Sequence, residues 1–97
     1  MTVDEVEARR VLDKRVAELR QHSYLDLKAS WFGQPDCEQV QGPSGAEYQV
    51  EIGALWDDRG TQTLRIVVSV DDGKGWRAFS PLADSFIVAP DGSFVGE

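Results

Sequence analysis

The chain has 97 residues, 41% of them hydrophobic and 28% charged, which is enough for one hydrophobic core and is not the composition of a disordered chain. Its net charge of −7 lies entirely in residues 23–97, because the five acidic and five basic residues before them cancel. An acidic body repels phosphate backbones and anionic membranes, so binding to nucleic acid or to a membrane is disfavoured.

The cysteine count and the N-terminus predict the compartment. Cys37 is the only cysteine, so an internal disulfide is excluded. No apolar run approaches the roughly 20 residues needed to cross a bilayer. The first ten residues, MTVDEVEARR, mix both charges where a secretory signal would be basic and then apolar. These features predict a cytoplasmic protein of bacterial type.

Residues 3–22 are predicted to form one amphipathic helix. Thr2 and Glu5 have the spacing of a capping box, which marks a helix N-terminus. Apolar residues recur at helical spacing on one face: Ala8, Leu12, Val16 and Leu19. Val3, Val6 and Val11 widen this face. Such a helix is expected to lie on another layer of structure.

Beyond this helix the apolar residues alternate with polar ones, which is typical of strands with one solvated face. The predicted strands are residues 24–32, 46–56 and 64–70, a further one from residue 76, and a last pair at 85–89 and 93–95. Residues 33–45 are predicted to be a long polar loop. Short connections make successive strands antiparallel. The expected fold is therefore one α+β domain over residues 1–97, a helix packed on an antiparallel meander of four to six strands.

Three stretches that combine aspartate with glycine separate the predicted strands: 57–60, 71–75 and 90–92. Asp and Gly favour tight turns, because Asp bonds its own backbone and Gly accepts a positive φ. The stretch at 71–75 has neither the ligand spacing of a calcium loop nor the pattern of a phosphate loop. We therefore predict turns at these positions, with no metal and no cofactor.

If these turns gathered at one end of the sheet, their carboxylates would form a negative rim for a cationic partner. Trp76, beside the middle turn, is the best candidate for an interface anchor, since exposed aromatic residues next to charge often serve as anchors. The predicted partner-binding residues are Trp76, Asp57, Asp58, Asp71 and Asp72.

Catalysis is not indicated by the remaining reactive residues. His22 is the single histidine, with no nucleophile pattern that would complete a triad, and its place near a helix C-terminus suits a role in complementing the helix dipole. Cys37 has acidic neighbours, whereas reactive thiols have cationic surroundings. Trp31 and Trp56 fall on the apolar phase of their predicted strands and are expected in the core.

Two stretches resemble known families. Glu38-Gln39-Val40-Gln41-Gly42 is similar to the Gln-x-Val-x-Gly motif that cystatin-type cysteine-protease inhibitors carry in a hairpin loop, with Glu38 in place of the first Gln. That resemblance implies a protease inhibitor. Residues 75–97 resemble the tail of small uncharacterised bacterial α+β domains, which implies a bacterial origin and no particular activity.

The sequence therefore predicts a non-catalytic protein-interaction module. Its partner would be a basic protein, as for an acidic immunity-type protein, or a second copy that pairs through an edge strand. One alternative is a small-ligand-binding domain or enzyme with a pocket between helix and sheet, where Tyr24, Glu51 and Arg65 would converge. The other alternative is the cystatin-like inhibitor.

Overall fold

A computed structural model describes residues 3–71 and 82–97. Its elements, in chain order, are α1 (Val3–Leu19), α2 (Tyr24–Trp31), β1 (Asp36–Gln41), β2 (Glu47–Asp58), β3 (Thr63–Asp71) and β4 (Leu82–Val88). The four strands form one antiparallel sheet in the order β1-β2-β3-β4. Residues from both helices and from one face of the sheet build a single core. The predicted α+β fold, a helix on an antiparallel meander, is confirmed.

The predicted amphipathic character of α1 is confirmed. Its apolar face is buried on the sheet, with Ala8, Leu12 and Leu19 fully inaccessible. Val6, at the edge of this face, is 39% exposed. The helix ends at Leu19 rather than at residue 22, and the Thr2 half of the predicted capping box lies outside the described residues.

The strand predicted at residues 24–32 is wrong, because this segment is the helix α2. Ser23 caps it, since its Oγ accepts a hydrogen bond from the amide of Asp26 at 3.1 Å. Tyr24, Leu27 and Trp31 are buried at helical spacing, whereas Leu25 is 74% exposed. The alternation in the sequence was therefore fortuitous, and the cap with the 24-27-31 spacing was the correct signal.

The loop predicted over residues 33–45 is wrong in its middle, which forms β1. This strand pairs with β2 in a continuous register from Asp36↔Ile52 to Gln41↔Glu47. Its sequence, DCEQVQ, has one large apolar residue because β1 is an edge strand with little burial. Backbone pairing, rather than side-chain burial, determines this strand, so the hydrophobic pattern did not reveal it.

The predicted strands at 46–56 and 64–70 are confirmed as β2 and β3. Their even-numbered residues, from Tyr48 to Ala54 and from Leu64 to Val70, lie in the core beneath the helices. Trp31 is buried as predicted, and Trp56 is half-buried against the core. The opposite face of the sheet is not covered by any element in the described ranges, and Leu55 is 49% exposed there.

The C-terminal residues fold back on β4 and on the end of α1. The strand predicted at 85–89 is confirmed as β4, but residues 93–95 form no strand and meet β4 only through an isolated bridge between Val88 and Phe94. Arg20 donates to both carboxylate oxygens of Glu97, at 2.6 and 2.5 Å, and its guanidinium lies 4.0 Å from the centroid of the Phe94 ring. The C-terminal turn therefore covers part of the outer edge of β4.

Candidate functional site

The described residues form a groove between α1 and β1, here called the α1–β1 groove. It has a volume of about 550 Å³. Its lining residues come from one side of the helix, from the edge strand and from the start of the following hairpin: Arg10, Val11, Lys14, Arg15, Glu18, Glu38, Gln39, Val40, Gln41, Gly42 and Pro43.

Glu7 closes one end of the groove by fastening α1 to the β1–β2 hairpin. Its carboxylate accepts hydrogen bonds from the Tyr48 hydroxyl (2.7 Å), the Ser44 hydroxyl (2.7 Å) and the Ser44 amide (2.8 Å). These bonds, that of Tyr48 foremost, hold the pKa of Glu7 below its ordinary value. Gly42 lies directly beneath the carboxylate, and a Cβ there would be 2.7 Å from Glu7 Cδ. The hairpin position is therefore specified by one charged side chain of the helix.

Arg15 closes the other end. Its Nε donates to Glu38 Oε1 of β1 at 2.7 Å, and its Nη1 lies 3.5 Å from Glu18 Oε1. Arg15 thus bridges Glu18 of the helix and Glu38 of the strand, and its single positive charge offsets one of these two carboxylates. Both ends of the groove are held by polar contacts between α1 and the β1–β2 hairpin, whereas α1 packs against β3 and β4.

The two polar contacts, that of Glu7 and that of Arg15, are separated by about the same distance on the helix and on the strand. Glu7 and Arg15 are eight residues apart on the helix, about 12 Å along its axis. Gly42 and Glu38 are four residues apart on extended chain, about 13 Å. The helix and the strand therefore run in opposite directions along the groove.

Two cations between these polar contacts are available to a ligand. Arg10 and Lys14 line the groove, are exposed, and make no salt bridge within residues 3–71 and 82–97. They are four residues apart on α1, so they lie on the same face one turn apart. The protein as a whole is acidic, but this groove presents positive charge.

The strand on the other side of the groove has a free edge. Among the described residues, β1 pairs with β2 alone, and none of them forms a bridge to its outer edge. The other edge strand, β4, is partly covered by the bridge at Phe94. An unpaired strand edge presents backbone donors and acceptors that can pair with another chain. The α1–β1 groove thus combines unpaired backbone with unpaired cations.

The acidic residues predicted to bind a partner lie at two ends of the sheet. Asp57 and Asp58 end β2, and Asp71 ends β3 at the opposite end, where its Cα pairs with that of Gln49. Asp57 accepts a hydrogen bond from Arg65 at 2.8 Å, and Asp58 accepts one from the Gly60 amide at 2.8 Å. The turn predicted at 57–60 is displaced: β2 continues through Asp58, the turn lies at residues 59–62, and the residue with positive φ there is Gln62 rather than Gly60.

The turn at 90–92 is confirmed, and it lies at the same end of the sheet as the turn at 59–62, because Leu64 pairs with Val88. Asp72, Trp76 and the rest of the turn at 71–75 lie outside the described residues. The partner-binding role of the five predicted residues stays a prediction.

The polar residues predicted to converge in a pocket are not brought together. The Tyr24 hydroxyl donates a hydrogen bond of 2.5 Å to the backbone oxygen of Gln62, on the side of the sheet that the helices cover. Glu51 and Arg65 belong to the uncovered face of the sheet. A pocket between a helix and the sheet does exist, but it is the α1–β1 groove, which has none of these three residues in its lining.

The other sequence candidates have the following positions. The segment similar to the cystatin motif runs along β1 into the hairpin, where Gly42 is buried under Glu7, and the inhibitor function stays a prediction. Cys37 is exposed and unpaired. His22 is exposed, and its ring is in edge-to-face contact with Trp31, with centroids 5.7 Å apart.

Comparisons add no family. No protein-family model matches the chain, and no significant similarity was found to curated proteins or to solved structures. Within the described residues, no helix has the length and apolar character to cross a membrane. No group of three or more His, Cys, Asp or Glu side chains arranged to hold a metal ion was found in the same ranges.

Sequence reasoning missed the groove because it missed β1. Arg10, Lys14 and Arg15 counted only as charges that cancel the acids of the same helix. A usable signal was present in Glu7, an acid beside the apolar face of the predicted helix, since a carboxylate in such a place needs hydrogen-bond donors. Its donor Ser44 is remote in sequence, and only the fold brings the two together.

Proposed function

We propose that this chain is a non-catalytic protein-interaction module whose α1–β1 groove receives an extended segment of a protein partner. The observation that carries this proposal is the edge of β1, to which no described residue pairs, beside Arg10 and Lys14, two cations that form no salt bridge in the described part of the chain. Extended segments add to exposed strand edges through backbone hydrogen bonds, and flanking pockets read their side chains. A groove between an edge strand and a helix provides both kinds of contact.

The charges of the groove select the chemistry of the segment. Arg15 is engaged by Glu18 and Glu38, whereas Arg10 and Lys14 make no salt bridge with any described residue, and Arg10 acts on Glu7 only through its charge. An acidic segment therefore gains two charge-assisted contacts. An immunity-type role, with a basic partner on the acidic body, is the narrower form that the net charge of −7 supports. The groove favours an acidic segment even if the rest of the surface meets a basic one.

The proposal is tested by selecting a random peptide library on sparsely immobilised protein. We expect enriched peptides that are extended and acidic, because β1 supplies the backbone partners and α1 the cations. Binding should weaken at least about tenfold in Arg10→Glu and in Lys14→Glu, a loss of one or two charge contacts. Arg59→Glu is the matched control, since Arg59 is exposed in the turn after β2. Peptides that bind Arg10→Glu and Arg59→Glu equally would contradict the proposal.

A second candidate function uses the same groove for a small anionic ligand. Its volume of about 550 Å³ is in the range of small-molecule sites, which is roughly 300–1,000 Å³. Titration of ¹⁵N-labelled protein with inorganic phosphate and with dicarboxylic acids distinguishes the two. Saturable shifts of the Arg10 and Lys14 amides, without any selected peptide, would favour the small ligand.

The compartment and the excluded partners belong to the same proposal. A cytoplasmic location is supported by Cys37, an exposed free thiol of the kind that reducing compartments preserve. Nucleic acid is disfavoured as the partner by the net charge of −7, because two unpaired cations do not offset the repulsion of phosphates by the rest of the surface.

A further inference from the structure

We propose that the segment received by the α1–β1 groove is β1 of a second copy of this chain, so that two sheets join through their β1 edges into one. This inference rests on the proposed protein-interaction function and names its partner. It follows from charge complementarity, because the chain carries both halves of the contact: cations at Arg10 and Lys14 on α1, and carboxylates at Asp36 and Glu38 on β1.

The order of these charges fits antiparallel pairing. Along the groove from its Glu7 end, Arg10 comes first and Lys14 second. β1 runs opposite to α1, so a second β1 that pairs antiparallel to the first runs in the direction of α1. Its Asp36 is then met first and its Glu38 second. Asp36 of one copy therefore faces Arg10 of the other. Glu38, whose Oε1 is held by Arg15 of its own chain, offers Oε2 to Lys14 of the other copy. The same register sets the two Glu38 side chains opposite each other at the two-fold axis, where Arg15 and Lys14 of both copies offset their charges.

The spacing of the charges fits as well. Arg10 and Lys14 are one helical turn apart, about 6 Å along the axis. Asp36 and Glu38 are two strand residues apart, about 6.6 Å, and their side chains leave the strand on the same face. That face is the helix side of the sheet, because Glu38 reaches Arg15 and Val40 packs against the core.

A two-fold axis makes the contact isologous, since each copy gives its carboxylates to the cations of the other. The β1 edge also lacks the features that usually block such pairing. Between Asp36 and Gln41 there is no proline, no lysine and no bulge in the register with β2. β4 is the poorer edge, because the bridge at Phe94 covers part of it.

The test is a charge exchange between two variants, measured by sedimentation velocity over a range of concentrations. Arg10→Glu and Asp36→Lys each place like charges at both symmetric contacts, so each variant alone should dimerise at least about tenfold more weakly than the wild type. Mixed in equal amounts, they should form a heterodimer. In that heterodimer the carboxylate introduced in one chain faces the ammonium introduced in the other, while the second contact keeps the native pair. Both positions are exposed, so both variants should fold, which circular dichroism verifies.

Each outcome decides the matter. A dimeric wild type with weakened single variants and a restored mixture supports the inference. A wild type that stays monomeric up to millimolar concentration overturns it, and so does a dimer that neither variant weakens. If the monomeric protein nonetheless binds acidic peptides in the groove, the dimer inference fails while the proposed function stands. If no peptide binds either, both fail.

Discussion

Substitution of Gly42 by alanine tests whether Glu7 positions the hairpin that ends the groove. A Cβ at this position would be 2.7 Å from Glu7 Cδ and 3.0 Å from Tyr48 Cε2. Ordinary contact begins at 3.4 Å, so the carboxylate would have to move by about 0.7 Å. Such a shift distorts the hydrogen bonds of Glu7 to Ser44 and Tyr48, because all of them are 2.7–2.8 Å long.

The expected cost follows from overpacking at a site with little freedom. We expect Gly42→Ala to lower the free energy of unfolding by about 1–3 kcal/mol, the usual cost of inserting a methyl group into a packed site. Each kcal/mol corresponds to about 4–8 °C in Tm for a domain of this size. Gly53→Ala is the matched control. The nearest atom to its new Cβ is Pro35 Cβ at 3.9 Å, so it should be neutral or stabilising by about 0.5 kcal/mol.

Urea unfolding followed by tryptophan fluorescence measures both variants, in the wild type and in a Glu7→Ala background. In the Glu7→Ala background, Gly42→Ala should lower the free energy of unfolding by at most half as much as in the wild type, since the clash between the new Cβ and Glu7 Cδ no longer exists. If Gly42→Ala costs the same in both backgrounds, or no more than Gly53→Ala, then Glu7 does not lie on the hairpin and the description of the groove is incorrect.

Three further predictions concern the helices and the C-terminus. Leu27 is buried and Leu25 is exposed, so in urea unfolding Leu27→Ala should destabilise the protein by about 2–5 kcal/mol and Leu25→Ala by less than about 0.5 kcal/mol. Similar losses in the two variants would favour a strand over residues 24–32 instead of the helix α2. The pKa of Glu7 is lowered in the folded protein, so its contribution to stability is present above the ordinary value of 4.5 and is lost as the pH falls through the folded-state pKa. Between pH 7 and pH 3, the urea midpoint should therefore fall less in Glu7→Gln than in the wild type. Equal falls in the two proteins would refute this prediction. Arg20→Ala should cost about 1 kcal/mol and speed amide exchange in residues 93–97, since it removes the contacts to Phe94 and Glu97, and unchanged exchange there would contradict this role.

The fold class could be predicted from the sequence because its two strongest hydrophobic patterns correspond to the elements that form. The helical period of α1 and the alternation of β2 and β3 are both produced by burial against one core, and burial is what such patterns report. The same reasoning misassigned α2, where Leu25 lies on the solvent side although its apolar character fits an alternating strand. Local capping by Ser23 determines that element, and capping weighs little in a count of apolar positions.

The candidate site could not be predicted, because it depends on a strand with almost no hydrophobic signal. β1 is held by backbone pairing to β2, by the Glu7 contacts and by the pair of Arg15 with Glu38. The contacts of Glu7 and of Arg15 with the hairpin join residues that are 23 to 41 positions apart in the chain. Only the folded chain shows that Arg10 and Lys14 stand next to an unpaired strand edge.

Amide hydrogen exchange resolved to single strands tests most directly whether partners dock on β1. Exchange is followed with the protein at low and at high concentration, and again with a saturating acidic peptide. We expect slower exchange confined to residues 36–41 and to the side of α1 that carries Lys14, with β3 unchanged. Unaltered exchange in residues 36–41, together with slowing at the acidic turn of Asp57 and Asp58, would show that contacts are made elsewhere on the molecule.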